Sequence, residues 1–287
     1  MANVAGMRFG VTLTNNWGVE DVAGLVALGP FLESLGYHSV WVNHHVLNIG
    51  YVHDRLGGKP YHDALTVLTW VAAQTERVRL GTSVLVLPYL HPMTLGKQLA
   101  TLDQLSGGRV VAGVGVGSLQ AEHDLLDVVP FEERGPYADE FLAVLRTLWE
   151  DEEPAHTGRY FNLAGALAAP KPLQTPLPVV VGGNKRVALR RVARFGNGWH
   201  PLGLKPSVIA QRLEVLEEEL AAQGRSRRDI EVSVRWDIRP DEDVRRRLED
   251  YAQVGVDEVV WSLGTPDLDL FRRTFERLAF DVVPLFR

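Results

Sequence analysis

Short apolar runs alternate with longer amphipathic segments along almost the whole chain of 287 residues. The runs predict strands, and the segments between them carry apolar residues at helical spacing. The predicted strands cover residues 8–13, 39–42, 78–87, 109–115, 178–181, 198–200, 230–236 and 258–262. Continuously apolar strands are typical of parallel sheets that are covered on both faces. Eight such units in a chain of this length predict an α/β fold, a (β/α)8 TIM barrel.

A doubly wound open sheet is the alternative fold. It would usually carry a glycine-rich dinucleotide loop after the first strand, and residues 13–18 (LTNNWG) do not form one. Residues 150–178 have the least regular pattern and contain several prolines. We interpret them as an insertion or lid between strands four and five of a single domain that spans residues 1–287.

The composition excludes several classes of protein. The chain has no cysteine, which removes disulfides, thiolate zinc sites, iron–sulfur clusters and a cysteine nucleophile. Its formal net charge of −6 argues against a nucleic-acid partner, because such binding depends on basic contacts to phosphate. No apolar run approaches the ~20 residues of a membrane helix, and the N-terminus lacks the pattern of a secretion signal. We therefore expect a cytoplasmic protein with no membrane partner.

In a barrel of this kind the active site lies at the C-terminal ends of the strands, and His44 and His45 follow strand two there. Adjacent residues on an extended chain point in opposite directions, so we expect one ring to face the pocket. The pair is therefore poorly suited to chelate one metal ion, and the sequence has no HxH or HExxH motif. We predict no metal site. Two loop histidines without a role are the alternative interpretation.

Two groups of glycines also lie at strand ends. Gly182, Gly183 and Asn184 follow strand five and open a helix, where free backbone N–H groups can bind an anion such as a phosphate. Gly115 and Gly117 lie at the end of strand four, where missing side chains allow a flat ligand to approach. An ordinary βα turn and easier barrel packing are the alternative interpretations of these two groups.

In this order and spacing, the motifs resemble the bacterial luciferase-like family of flavin and deazaflavin oxidoreductases. The resemblance runs over nearly the whole chain from Met7. It is carried by residues 39–46 (SVWVNHHV), 78–88 (VRLGTSVLVLP), 105–117 (LSGGRVVAGVGVG), 170–183 (PKPLQTPLPVVVGG) and 188–201 (ALRRVARFGNGWHP). The last two segments look most like the branch that uses the deazaflavin coenzyme F420.

The resemblance implies a barrel with the cofactor ring at its mouth. It implies a non-proline cis peptide at Ser83-Val84 behind the ring, the cofactor phosphate at Gly182 and Gly183, and His45 beside the ring. Two positions depart from the pattern. Deazaflavin members commonly have Asp where this chain has His44, and a double histidine is more familiar in FMN monooxygenases. The position after Gly117, often acidic or aromatic in relatives, is Ser118, so the proton donor of one deazaflavin subgroup is absent there.

We therefore expect an enzyme that transfers a hydride between F420 and a small organic substrate. His45 is the candidate proton relay or ring-orienting group, and His200 is the second catalytic candidate, because imidazole exchanges protons near neutral pH. The predicted cofactor-binding residues are His44, Ser83, Val84, Gly115, Gly117, Ser118, Gly182, Gly183 and Asn184. The resemblance also implies a homodimer.

Two other functions fit the same motifs. One is an FMN-dependent monooxygenase, which takes reduced FMN from a separate flavin reductase and shields a peroxyflavin from water. The other is a non-catalytic protein that binds a flavin or deazaflavin and stores or carries it. The substituted residues His44 and Ser118 keep the second of these open.

Overall fold

The structure, a computed structural model that describes residues 6–286, contains a closed barrel of parallel strands. The strands of this part of the chain are β1 (Arg8–Thr12), β2 (Ser39–Val42), β3 (Arg79–Thr82), β4 (Leu85–Val86), β5 (Val110–Gly115), β6 (His156–Thr157), β7 (Asn162–Leu163), β8 (Val179–Gly182), β9 (Gly198–His200), β10 (Glu231–Ile238) and β11 (Glu258–Leu263). Pairing runs through β3, β2, β1, β11, β10, β9, β8 and β5, and β5 closes the ring on β3. The predicted (β/α)8 TIM barrel is confirmed. The ends of the predicted domain, residues 1–5 and 287, lie outside the described part.

The third barrel position is shared by β3 and β4. Ser83 and Val84 separate them, and the peptide bond between these two residues is cis, as the resemblance implied. The prediction of one continuous strand over residues 78–87 was therefore wrong. β3 pairs with β2 and with the beginning of β5, whereas β4 pairs with the end of β5.

The helices cover the outside of the barrel and follow the predicted order. Within residues 6–286 they are α1 (Val22–Val26), α2 (Leu28–Ser34), α3 (Tyr51–Leu56), α4 (Ala64–Ala72), α5 (Pro92–Ser106), α6 (Gln120–Leu126), α7 (Arg134–Glu150), α8 (Arg186–Phe195), α9 (Pro206–Ala221), α10 (Arg245–Gln253) and α11 (Leu268–Asp281). No helix in this range is long and apolar enough to cross a membrane.

Two local predictions differ from the structure. Residues 22–35 carry apolar side chains at helical spacing, which predicts a single helix. In the structure the helix is broken at Ala27 into α1 and α2. Pro30 explains the break, because proline has no N–H to donate to the carbonyl of Val26 and its ring crowds that carbonyl. The short helices α3 and α6 were not expected, and both lie in loops that follow barrel strands.

The segment between α7 and β8 contains the antiparallel pair β6–β7. This hairpin is fixed to α7 by the carboxylate of Glu140, which accepts hydrogen bonds from the backbone N–H groups of Arg159, Tyr160 and Phe161. His156 on β6 lies 3.3 Å from the same carboxylate. The hairpin is therefore held against α7 by one partly buried acid.

A fully buried acid lies inside the barrel. Glu258 on β11 is fully buried, its Oε1 is hydrogen-bonded to Ser39, and its Oε2 has no partner among the described residues. Burial raises the pKa of Glu258 to about 7, the charge of Glu231 adds to this effect, and Arg79 and Arg8 oppose it. The folded protein therefore binds this proton more tightly than the unfolded chain does. Consequently the stabilising effect of the proton is present at acidic pH and is lost as the pH rises through about 7.

Replacing Glu258 with glutamine is expected to remove this pH dependence, because the amide carries no titrating proton. The free energy of unfolding of the variant should rise relative to wild type between about pH 5 and about pH 8. Urea unfolding at both values measures the difference. A difference between variant and wild type that is equal at the two pH values would contradict the role of Glu258.

Candidate active site

The strand register collects the predicted site residues at the C-terminal mouth of the barrel. Trp41, Val111, Val180 and Val260 form the cluster inside the barrel. Residues two positions further along these strands face the same side, since side chains alternate along a strand. Gly182 lies two positions after Val180 and therefore faces the interior. His200 pairs directly with Gly182 on the neighbouring strand and faces the interior as well.

Val84 and the predicted glycines form one surface there. A Cβ on Gly115 would lie 2.7 Å from Cγ2 of Val84, and a Cβ on Gly182 would lie 3.2 Å from Cγ1 of Val84. Gly117 has a φ of +73°, which favours glycine, and its Cβ would lie 2.7 Å from Cγ1 of Val86. The missing side chains leave a compact surface of backbone and methyl groups. Such a surface suits a flat ring.

The Ser83-Val84 peptide next to this surface is supported by His200. Its ring is buried and stacks on Trp41 at 4.7 Å, with an interplanar angle of 5°. Nε2 lies 2.9 Å from the Ser83 hydroxyl and Nδ1 lies 2.7 Å from the Ser233 hydroxyl. Burial, with a smaller effect of Arg235, lowers the pKa of His200 to about 3. His200 is therefore a neutral ring with both nitrogens engaged, which favours a positioning role for it over proton transfer.

The two adjacent histidines face different surroundings. His44 is buried, and its Nδ1 accepts a hydrogen bond of 3.1 Å from the backbone N–H of Val86. Burial, the largest effect, lowers the pKa of His44 to about 4 and keeps this acceptor neutral. The ring also lines a cleft between α4 and α5, outside the barrel. This placement favours support of β4 over the predicted contact between His44 and a cofactor.

His45 belongs to a hydrogen-bonded group at the mouth. Its Nδ1 lies 2.5 Å from Oε2 of Glu122, and its Nε2 lies 2.9 Å from the hydroxyl of Tyr51. The other carboxylate oxygen of Glu122 accepts from the backbone N–H groups of Val46 and Leu47, at 2.6 and 2.9 Å. Burial raises the pKa of Glu122, but the bonds from His45, Leu47 and Val46 outweigh it and hold the pKa below its ordinary value. Both oxygens of the buried Glu122 carboxylate therefore accept hydrogen bonds.

Sequence reasoning did not single out Glu122 or Tyr51. Glu122 lies on α6, four positions after Ser118. Position 118 is often acidic in the family that the chain resembles, and this chain has serine there. Tyr51 begins α3, and its oxygen is hydrogen-bonded to the hydroxyl of Ser118. The acidic residue four positions after Ser118 was the available signal. The chain supplies a carboxylate near the predicted place, but from a helix that the sequence pattern did not predict.

Arg235 was also not singled out. Its guanidinium hydrogen-bonds the side chain of Asn43, lies 3.4 Å from the carbonyl oxygen of Ser83, and lies 3.3 Å from the hydroxyl of Ser262. Its side chain is only 13% exposed. Its place near the C-terminal end of the barrel strand β10 was the signal for it. The arginine places a positive charge directly beside the cis peptide.

The predicted anion site lies at the beginning of α8. Gly183 has a φ of +108°, and its carbonyl accepts a hydrogen bond of 2.8 Å from the indole N–H of Trp199. The side-chain oxygen of Asn184 is buried without a partner in the described part of the chain. Lys185 precedes α8 and makes no capping hydrogen bond with its side chain. The first backbone N–H groups of α8 are therefore suited to receive an anion.

The described residues offer no metal centre. No group of three or more histidine, aspartate or glutamate side chains within residues 6–286 could hold a metal ion. The pairs His45–Glu122 and His156–Glu140 each join a single imidazole to a single carboxylate. Each pair is therefore a hydrogen bond between one ring nitrogen and one carboxylate oxygen.

Comparisons with known proteins match the chain to a family. The model of the family described as luciferase-like monooxygenase matches residues 7–276. An uncharacterized protein of Mycobacterium tuberculosis is 32% identical over 288 residues, covering 95% of this chain and 98% of the relative. An F420-dependent glucose-6-phosphate dehydrogenase of Kineococcus radiotolerans is 32% identical over 222 residues, covering 76% of this chain and 64% of the dehydrogenase.

Solved structures agree on the fold. An F420-dependent secondary alcohol dehydrogenase in complex with an F420–acetone adduct has a TM-score of 0.82 at 19% identity, covering 98% of this chain and 99% of that chain. A monooxygenase from Streptomyces bottropensis has a TM-score of 0.83 at 20% identity, covering 98% of this chain and 100% of that chain. The chain therefore belongs to the luciferase-like monooxygenase family, a family of enzymes, as its motifs predict.

Proposed function

We propose that this protein is an F420-dependent oxidoreductase that transfers a hydride between the deazaflavin and a small organic substrate. The observation that carries the proposal is the surface formed by Val84, Gly115 and Gly182 at the barrel mouth. A Cβ on either glycine would crowd a methyl group of Val84, so this surface depends on both glycines. The curated relatives named as F420-dependent support F420 over FMN.

The residues at the mouth fit such a cofactor. The ring would lie against Val84, Gly115 and Gly182, and the phosphate would lie at Gly183 and the first turn of α8. F420 supplies a ring carbon that accepts or donates a hydride. The protein supplies binding, orientation and the handling of protons.

Two polar side chains would shape the chemistry. Arg235 fixes a positive charge next to the Ser83 carbonyl, below the surface that would hold the ring, and so favours negative charge in the ring's neighbourhood. His45, oriented by Glu122, lies at the rim and would take part in proton exchange with the substrate. His200 and His44 hold β3 and β4 in place from behind.

A turnover assay tests the proposal. Purified protein is given oxidised F420 with a panel of primary and secondary alcohols, and reduced F420 with ketones and enones. A parallel set receives FMN, a flavin reductase and oxygen. We expect turnover with F420 and none with FMN. Turnover with FMN alone would identify an FMN-dependent monooxygenase, and F420 binding without turnover of any compound would favour a carrier.

A further inference from the structure

We propose that Tyr51, His45 and Glu122 form a proton relay, in which Tyr51 contacts the substrate and Glu122 positions His45. The inference rests on the proposed function and names the residues that would move the proton of an alcohol substrate. His45 and Tyr51 come from the segment between β2 and α4, and Glu122 comes from α6, which is distant in sequence. Their direct contacts form one continuous path.

Glu122 determines which nitrogen of His45 carries the proton. A carboxylate can only accept, so the 2.5 Å contact places a hydrogen on Nδ1 of His45. The side chain of Glu122 is 0% exposed, and both of its oxygens are engaged. It therefore cannot turn away without leaving a buried charge unpaired, which is costly. Nε2 of the neutral imidazole is left as an acceptor.

Tyr51 occupies that acceptor. Its hydroxyl lies 2.9 Å from Nε2, and its ring packs edge-on against the imidazole at 5.6 Å. Burial and the charge of Glu122 raise the pKa of Tyr51, so the hydroxyl keeps its proton and donates it. The tyrosine is 49% exposed, whereas the side chain of His45 is 17% exposed. Because both nitrogens of His45 are engaged, a substrate reaches the imidazole through Tyr51.

Other titratable groups surround this path. Tyr89 hydrogen-bonds Glu122, and Tyr61 packs edge-on against His45 at 5.7 Å. The charge of Arg55 acts on Tyr51 and, together with that of Arg235, on Tyr61. Asp63 and His45 act on the adjacent ring of His44. Ser118 hydrogen-bonds the Tyr51 oxygen and fixes its direction. The relay thus replaces the acid that is absent at position 118.

The proton and electron counts balance for an alcohol. The substrate C–H bond breaks and its hydride, with two electrons, passes to oxidised F420, which the proposed function supplies. The hydroxyl proton of the substrate passes to the Tyr51 oxygen as the Tyr51 proton passes to Nε2 of His45. A carbonyl product results, and the imidazolium is paired with Glu122. Reduction of a carbonyl follows the same steps in reverse.

Nitrogen-15 NMR of histidine-labelled protein without cofactor tests the geometry. We expect His45 of the wild type to show the tautomer with hydrogen on Nδ1. E122Q should shift this equilibrium, and Tyr51→Phe should change the Nε2 signal alone. The matched control is Glu140→Gln, which disrupts the other Glu–His pair and leaves the His45 signals unchanged. An unchanged His45 spectrum in E122Q would overturn the role of Glu122, and one in Tyr51→Phe would overturn that of Tyr51.

Kinetics with propan-2-ol and cyclohexanol as probes test the relay itself. Tyr51→Phe is expected to lower kcat by about 10²-fold, with KM and the F420 Kd changed by less than about threefold. E122Q is expected to lower kcat by on the order of 10³-fold and to shift the pH profile of kcat, with Glu122→Asp retaining part of the rate. Tyr51→Phe with wild-type kcat across the pH range would overturn the relay. Failure of the wild type to use F420 would instead refute the proposed function, and the NMR result would still decide the pairing.

Discussion

Replacing His45 with alanine is expected to lower kcat by about 10²–10⁴-fold, the usual contribution of a positioned acid or base. The Kd for F420 should change by less than about threefold, because the ring surface is formed by Val84, Gly115 and Gly182 and not by His45. Single-turnover kinetics with bound F420 separate the two effects. The physical reason is that His45 joins Tyr51 at the rim to the buried carboxylate of Glu122.

The chain offers a matched control for this variant. His156 also pairs with a glutamate, Glu140, and its side chain is 19% exposed, compared with 17% for His45. It lies on the hairpin that is fixed to α7. His156→Ala should retain the wild-type kcat. Equal rates for His45→Ala and wild type would remove His45 from the mechanism.

Replacing Gly182 with valine is expected to weaken F420 binding by about 100-fold, which is about 2.8 kcal/mol. The new Cβ would lie 3.2 and 3.4 Å from the two methyl groups of Val84, so those groups need to shift only by a few tenths of an ångström. The branched side chain would then occupy the place of the ring. Valine is a favourable residue in a strand, so the fold should persist.

Gly135→Val on α7 is the control for added volume. A Cβ there would be in ordinary contact with Arg191 at 3.7 Å and would not approach Val84. Both variants should unfold cooperatively, with circular dichroism spectra like that of the wild type, and only Gly182→Val should lose F420 affinity. Wild-type F420 affinity in a folded Gly182→Val variant would show that the ring binds elsewhere.

Most of the barrel could be predicted from the sequence, because parallel strands buried on both faces are apolar without interruption. β2 and β9 were predicted with the bounds that the structure has. The break at Ala27 could have been predicted from Pro30, since proline disfavours a helix interior. The break at Ser83 could not, because the run of residues 78–87 is apolar and β-branched on both sides of it. Only the family resemblance indicated the cis peptide.

The site was predicted less completely, for a physical reason. His45 and the glycines lie directly at strand ends, where the barrel rule looks for function. Glu122 and Tyr51 lie on short helices within loops, and their contact with His45 depends on the path of those loops. The two adjacent histidines were expected to differ, and they do, because His44 supports Val86 while His45 faces Glu122. The alternation of side chains along an extended chain predicted that the two rings point apart, but it did not predict their hydrogen-bond partners.

Equilibrium titration of the purified protein with F420 and with FMN tests the central claim most directly. The surface around Val84 and the anion site at α8 are suited to a flat ring and a phosphate, and the choice of cofactor decides the chemistry. We expect F420 to bind with micromolar affinity and FMN to bind at least about 100-fold more weakly. FMN binding as tight as or tighter than F420 binding, or no binding of F420, would contradict the proposed function.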